Sequence, residues 1–263
     1  MHRIRGEFEQ AEQAYRDASK WGRSPEPGIA LLWLARGQAD AAAAALRRAL
    51  GEDDGNWGKR SELLAAYVEV LLTKGDVSAA YTATSELKEI AVTVDSVLLR
   101  ALAERADGSL LLAEGQPSAA IAVLRKSWRA WQELEAPYEA ARVRESIGDA
   151  CRALGDEQSA LMEVDAARWV FERLGARFDL MRLQRDAGPA ASTAAGLLTS
   201  REVEVLSLIA TGETNKQIAS RLVISEHTVA RHVQNMLQKL GCSSRAGLAV
   251  FAVEHDLAHP ATG

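Results

Sequence analysis

A glycine followed five residues later by an alanine recurs five times in the first part of this chain, in RGEFEQAEQA, RGQADAAAAA, KGDVSAAYTA, EGQPSAAIAV and LGDEQSALME. The glycines are Gly6, Gly37, Gly75, Gly115 and Gly155, at intervals of 31, 38, 40 and 40 residues, and the alanines are Ala11, Ala42, Ala80, Ala120 and Ala160. Glycine tolerates the backbone angles of a helix-ending turn without steric cost, and alanine lets the next helix approach its partner closely. Nine residues after each glycine stand Tyr15, Leu46, Thr84, Leu124 and Val164, and twelve after stand Ala18, Ala49, Leu87, Ser127 and Ala167. Offsets of five, nine and twelve share one helical face. The stretches before the turns, such as IALLWLAR, LLAAYVEVLLTK and ARVRESIGDACRAL, are rich in helix formers. Each unit therefore reads as helix, turn, helix, and such units stack into a solenoid whose concave side is an interaction surface.

The Gly, Ala, large apolar and Ala positions resemble those of tetratricopeptide-like repeats of somewhat long period. Thr84 and Ser127 depart from the pattern and leave the pairing of their repeats open. The first repeat starts at its turn, so either this end docks on something or the chain is the tail of a longer protein. Trp33, Trp57, Trp128, Trp131 and Trp169 fall within or beside the repeats; packing between helices is the expectation, ahead of an aromatic ligand cage. The turn-rich GEDDGNWGKRSE, residues 51–62, is expected as a surface loop.

After residue 186 the composition changes. AGPAASTAAG, residues 187–196, is small and uncharged and reads as a linker between a repeat domain over 1–186 and a second domain over 197–258. In the second domain TSREVEVLSLIATG carries a capping Thr199 or Ser200, Glu202 in the first turn and a terminating Gly212, and its apolar stripe is Val203, Leu206 and Ala210, widened by Val205 and Ile209. TNKQIASRL gives a second helix with Ile218, Ala219 and Leu222 inward. Ser225 caps a third, EHTVARHVQNMLQKL, closed by Gly241, and Ser243 or Ser244 caps a fourth, RAGLAVFAVEH. The expected fold class is all-α throughout.

In the third helix Val229, Val233, Met236, Leu237 and Leu240 form a core stripe, which leaves His227, Arg231, Gln234 and Gln238 outward with Ala230 at their edge. A helix with such an outer face, held by a short helix and a tight turn, has the form of a helix-turn-helix reader of the major groove. Arg pairs with guanine, Gln with adenine, and Ala touches a thymine methyl. Lys216, Thr228 and Lys239 are candidates for phosphate contacts, which position a helix without specifying sequence.

A net charge of −5 argues against indiscriminate binding of nucleic acid by the whole surface. Residues 197–263 hold six basic and six acidic side chains, so the excess acid belongs to the repeats, and between Gly212 and Arg245 five basic residues face only Glu213 and Glu226. The reading head is locally basic.

The run LTSREVEVLSLIATGETNKQIASRLVISEHTVARHVQNMLQKLGCSSRAGLAVFA, residues 198–252, resembles the LuxR (GerE) type helix-turn-helix. Its L-T-x-R-E-x-E-V-L, N-K-x-I-A, I-S-x-x-T-V, H-V, K-L-G and S-R-A elements are nearly intact. The resemblance implies a four-helix DNA-binding domain, dimerisation on double-stranded DNA often through the fourth helix, and base contacts at Ala230, Arg231 and Gln234. Ala230 stands where many members have lysine, so the recognised sequence should differ.

Other functional classes fit less well. The chain has no G-x-x-x-x-G-K-[ST] loop, and no enzyme activity or cofactor is expected. His227 with His232, and His255 with His259, lack further ligands for a metal, so solvated histidines are expected. Cys151 and Cys242 lie in dissimilar segments, which suits a reducing cytoplasm. No apolar run approaches a membrane span. The expectation is a transcription regulator with the repeats as sensor or platform for a protein or small-molecule effector. The alternatives are a repeat scaffold with a dimerising C-terminal bundle and a sigma-like subunit of RNA polymerase.

Overall fold

The computed structural model describes residues 2–22, 24–52, 55–186, 198, 200–222, 224–255 and 257. These residues form an all-α protein that divides into two compact units, Met1–Leu183 and Gln184–Gly263. The expected linker, 187–196, lies outside the described residues.

The first unit contains α1 (Phe8–Lys20), α2 (Gly28–Ala35), α3 (Ala39–Gly51), α4 (Trp57–Thr73), α5 (Val77–Val94), α6 (Val97–Ala113), α7 (Pro117–Glu133), α8 (Pro137–Ala153), α9 (Glu157–Leu174) and the greater part of α10 (Arg177–Asp186). The repeated glycines do what their spacing requires: Gly37, Gly75, Gly115 and Gly155 separate the two helices of successive hairpins, α2/α3 through α8/α9, with φ between 73° and 78°. The alanines five residues on are buried, four of them with no exposed surface at all. Thr84 and Ser127 occupy the same buried face as the apolar residues they replace. Ser127 is satisfied by donating to the Ala101 carbonyl at 2.7 Å, whereas the Thr84 hydroxyl finds no partner among the described residues.

Two further glycines sit inside helices. A Cβ on Gly108 of α6 would lie 2.5 Å from Leu124 Cγ, and one on Gly148 of α8 would lie 2.9 Å from Val164. Leu124 and Val164 are residues nine after the turn, so in these hairpins the large side chain of one helix is seated against bare backbone in the other. The core is passed along the array. Leu46, Leu63 and Val70 pack in one cluster, Leu71, Leu87 and Leu110 in the next, and Leu124, Trp131 and Ile147 in a third. The last cluster, around Phe171 and Leu183, also takes Ile4 from the start of the chain. Phe8 meets Phe178 edge to face at 5.5 Å, and the Phe178 amide donates to the Ile4 carbonyl at 3.4 Å.

Two sequence expectations need correction. Residues 57–62 are helical rather than loop, because Asn56 caps α4 by accepting from the Lys59 amide at 3.1 Å. Nor are all the tryptophans core: Trp131 is buried, but Trp57 and Trp169 are exposed, and Trp169 lies beneath the Arg173 guanidinium.

The second unit contains α11 (Ser200–Ala210), α12 (Asn215–Leu222), α13 (Glu226–Leu240) and α14 (Arg245–Glu254). Its core joins Val205, Leu206 and Ile209 of α11 to Ile218, Val229, Met236 and Leu248. Helix α11 packs against both α13 and α14, so it is buried over a wider arc than one stripe. Val203 and Ala210 are only half-buried, while Leu208 joins the core.

Candidate nucleic-acid interface

Helices α12 and α13 are joined through Ile224, whose side chain packs on the core and whose amide donates to the Ala219 carbonyl at 2.9 Å. Ser225 Oγ accepts from the Thr228 amide at 3.1 Å and lies 2.7 Å from Thr228 Oγ1, so the first turn of α13 is closed by side chains as well as backbone. At the other end Gly241, with φ 65°, lets the Cys242 amide reach the Leu237 carbonyl at 3.0 Å. Helix α12 starts with a reciprocal cap: the Thr214 amide donates to Gln217 Oε1 at 2.8 Å and the Gln217 amide to Thr214 Oγ1 at 3.4 Å.

Between these fixed ends α13 buries Val229 and Met236 and exposes His227, Ala230, Arg231, Gln234 and Gln238. The structure therefore brings Ala230, Arg231 and Gln234 together on one exposed face. Lys216 is exposed on α12, and Thr228 is half-buried beside Ser225.

Lys239 is placed differently from its expected role as a phosphate ligand. Its Nζ donates to both carboxylate oxygens of Glu202, at 2.9 and 3.0 Å, and the Glu202 side chain is only 3% exposed. A carboxylate so deeply buried needs a cation and hydrogen bonds, and Lys239 supplies them across the interface of α11 and α13. Glu202 is thus more than a helix-dipole residue of the first turn. His232 shares this flank. It is half-buried rather than solvated, and burial holds its imidazole below the usual value, with Glu202 opposing and Arg201, Arg231 and Lys239 reinforcing the shift.

Two other cations of the matched run hold the scaffold together. Arg201 donates to the Leu222 carbonyl at 2.8 Å, fastening α11 to the end of α12. Arg245 bonds Asn215 Oδ1 at 2.7 Å and the Glu213 carbonyl, fastening α14 to the start of α12; burial lowers its pKa. Arg221 pairs with Glu213. Sequence reading missed these pins, although helical register was a signal for one of them, since Lys239 lies seven residues after His232 and away from the Arg231 and Gln234 stripe.

Among the described residues no cluster of His, Cys, Asp and Glu could hold a metal, and no helix is long and apolar enough to cross a membrane. His255 is exposed and stacks on Phe251 at 4.0 Å, while His259 lies outside the described residues.

Residues 196–252 match the family described as "Bacterial regulatory proteins, luxR family", and they form a LuxR-family (GerE) helix-turn-helix domain. Over 60 residues the chain is 52% identical to "Uncharacterized transcriptional regulatory protein YhcZ" of Bacillus subtilis (strain 168), covering 23% of this chain and 28% of that protein. Over 101 residues it is 38% identical to "DNA-binding transcriptional activator DevR/DosR" of Mycobacterium tuberculosis (strain ATCC 25618 / H37Rv), covering 38% of this chain and 46% of that protein. "Transcriptional regulatory protein LiaR" of Bacillus subtilis (strain 168) is 48% identical over 60 residues, covering 23% of this chain and 28% of that protein. The chain thus spans between about a quarter and a half of the length of these relatives.

Proposed function

We propose that the chain is a sequence-specific regulator of transcription that reads double-stranded DNA with α13, and that its repeat unit, taken as tetratricopeptide-like, serves as sensor or docking platform. The carrying observation is the exposed face of Ala230, Arg231 and Gln234 on a helix capped at both ends, inside a LuxR-family domain. In this reading the α13 face enters the major groove, Arg231 and Gln234 donate to base edges, and Ala230 makes an apolar contact. Lys216 and Thr228 position the helix on phosphates, while Lys239 acts chiefly by holding Glu202. Dimerisation on DNA runs through α14, where Val250 and Val253 are 56% and 64% exposed and offer an apolar strip to a second copy.

The test is to equilibrate the full chain with sheared genomic fragments at two salt concentrations, sequence what is retained, and run Arg231→Glu in parallel. Enrichment of a two-fold symmetric site, lost in the variant, is the expected result. Arg231→Ala should weaken binding by about 1 to 3 kcal/mol and relax base preference, whereas Lys216→Ala should weaken it on all sequences and flatten the salt dependence. Equal specificity ratios for wild type and Arg231→Ala would remove the assignment of α13 as the reader.

A further inference from the structure

The repeat unit contains a cavity of about 260 Å³ walled by α4, α6, α8 and α10. Its position follows from the repeat. The residues ten before the turn glycines Gly75, Gly115 and Gly155 are Ala65, Arg105 and Glu145, those six before are Glu69, Ser109 and Asp149, and all six line it. The first helices of three successive hairpins therefore present the same two registers to one space, and α10 closes it with Arg182.

Three guanidiniums, Arg105, Arg142 and Arg182, and three carboxylates, Glu69, Glu145 and Asp149, line this space. Arg105 and Arg142 are 17% and 11% exposed, and they share Glu69: Arg142 donates to Glu69 Oε1 at 2.6 Å and Arg105 to Glu69 Oε2 at 3.3 Å, while Arg105 also reaches Glu139 at 2.9 Å. Two guanidiniums carry roughly ten N–H donors, of which three donate among the described residues. Neither guanidinium has a nitrogen that is both buried and unpartnered among the described residues, so the spare donors are open to solvent and available to a ligand in the cavity. Burial opposes the Glu69 charge, yet Arg142 and Arg105 hold its carboxyl down at about 2. Against the same burial, Glu69 and Glu139 in turn hold the Arg142 guanidinium above its ordinary value. Burial and then the neighbouring Arg142 push the Arg105 guanidinium below its ordinary value. The alternative is a purely structural ion network, but exchanging buried pairs for apolar side chains is often neutral or stabilising, so stability alone gives little reason to wall a cavity with three guanidiniums.

We propose that this cavity binds a small ligand through an oxyanion group, a carboxylate or a phosphate, clamped by Arg105 and Arg142. A planar guanidinium fork suits either group. The Glu145–Arg182 pair, bidentate at 2.6 and 2.7 Å, ties α10 to α8 along the same wall, so an occupant lies beside the fastening of the last helix of the unit. The regulatory meaning of the site rests on the sensing role proposed above; the binding itself does not.

The test is isothermal titration calorimetry of the full chain without DNA, at constant ionic strength in chloride, with succinate in one series and inorganic phosphate in the other. One of the two is expected to bind saturably at one site per chain, and which one identifies the oxyanion. Arg142→Gln should weaken it at least about tenfold, the worth of one charge-assisted hydrogen bond. Glu69→Gln removes the internal competitor and should tighten binding by a similar factor, which a structural pair would not predict and which stands if Arg142→Gln fails to fold. Lys88→Gln, in an exposed pair with Asp107, should change nothing. Absence of saturable binding by both wild type and Glu69→Gln, or equal affinity in the two, overturns the site. Because no DNA is present, that failure is separate from a failure of the α13 reading.

Discussion

The two units solve the same packing problem with opposite residues. In the repeat unit geometry is set by the smallest side chains: left-handed glycines turn the chain, buried alanines bring helices together, and Gly108 and Gly148 seat the large residues opposite. In the second unit the core is made of large apolar residues, and charged side chains, Arg201, Glu202, Lys239 and Arg245, pin the helices to one another. The difference teaches caution about motifs. In the repeats the matched positions are the structure itself. In the helix-turn-helix much of the matched charge is scaffold, whereas the residues proposed as readers, Ala230, Arg231 and Gln234, lie on the exposed face of α13.

The comparison can be broken at its strongest point with Lys239→Met. Removing the Lys239 ammonium from the buried Glu202 carboxylate should destabilise the second unit by up to about 3 to 5 kcal/mol. The measurement is straightforward because all six tryptophans lie in the repeat unit: helical circular dichroism should show an early transition that tryptophan fluorescence does not. If stability is unchanged and only DNA affinity falls, Lys239 is a phosphate ligand and the contrast between pins and readers fails at that residue.

Gly108→Ala is the converse probe. Its Cβ would press on Leu124, and overpacking of this kind costs about 1 to 3 kcal/mol. Tryptophan fluorescence should now report the loss while the second unit keeps its own transition. A variant as stable as wild type would mean that Leu124 can move aside and that the seat is not specific.

The third contrast separates the units by acidity. Glu69 titrates at about 2 in the folded protein against an ordinary 4.5. Its contribution is therefore present above pH 4.5 and is lost as the pH falls from there toward about 2. His232 is displaced the other way, with its folded value below the ordinary 6.5. The unfolded chain takes up that proton first, and the second unit should begin to weaken as the pH drops through 6.5. Urea titrations followed by fluorescence for Glu69→Gln, and by circular dichroism for His232→Asn, should each remove one of these slopes and leave the other.

How much of this was legible depended on the distance over which a residue's partner is fixed. Turn glycines, caps such as Ser225 and the outward stripe of α13 are decided within a few residues, and they can be read directly. The extent of α4 was misread because the turn-rich composition of 51–62 concealed Asn56 as a cap. The Glu202–Lys239 pair was invisible because its partners meet only after α11 packs on α13. The cavity lay between the two cases: its registers are written in the repeat, but only stacking shows that they face a common space.

The meeting of Ile4 and Phe8 with the last hairpin and α10 has a consequence for cooperativity. An open array of helical hairpins is held by nearest-neighbour interfaces alone, so its outermost members have one neighbour each and open first. Here Ile4 and Phe8 add contacts to α9 and α10 that sequence neighbours do not supply. Contacts of this kind couple α9 and α10 to a segment far away in sequence, so Ile4→Ala and Phe8→Ala should speed amide exchange in α9 while leaving α5 and α6 unchanged.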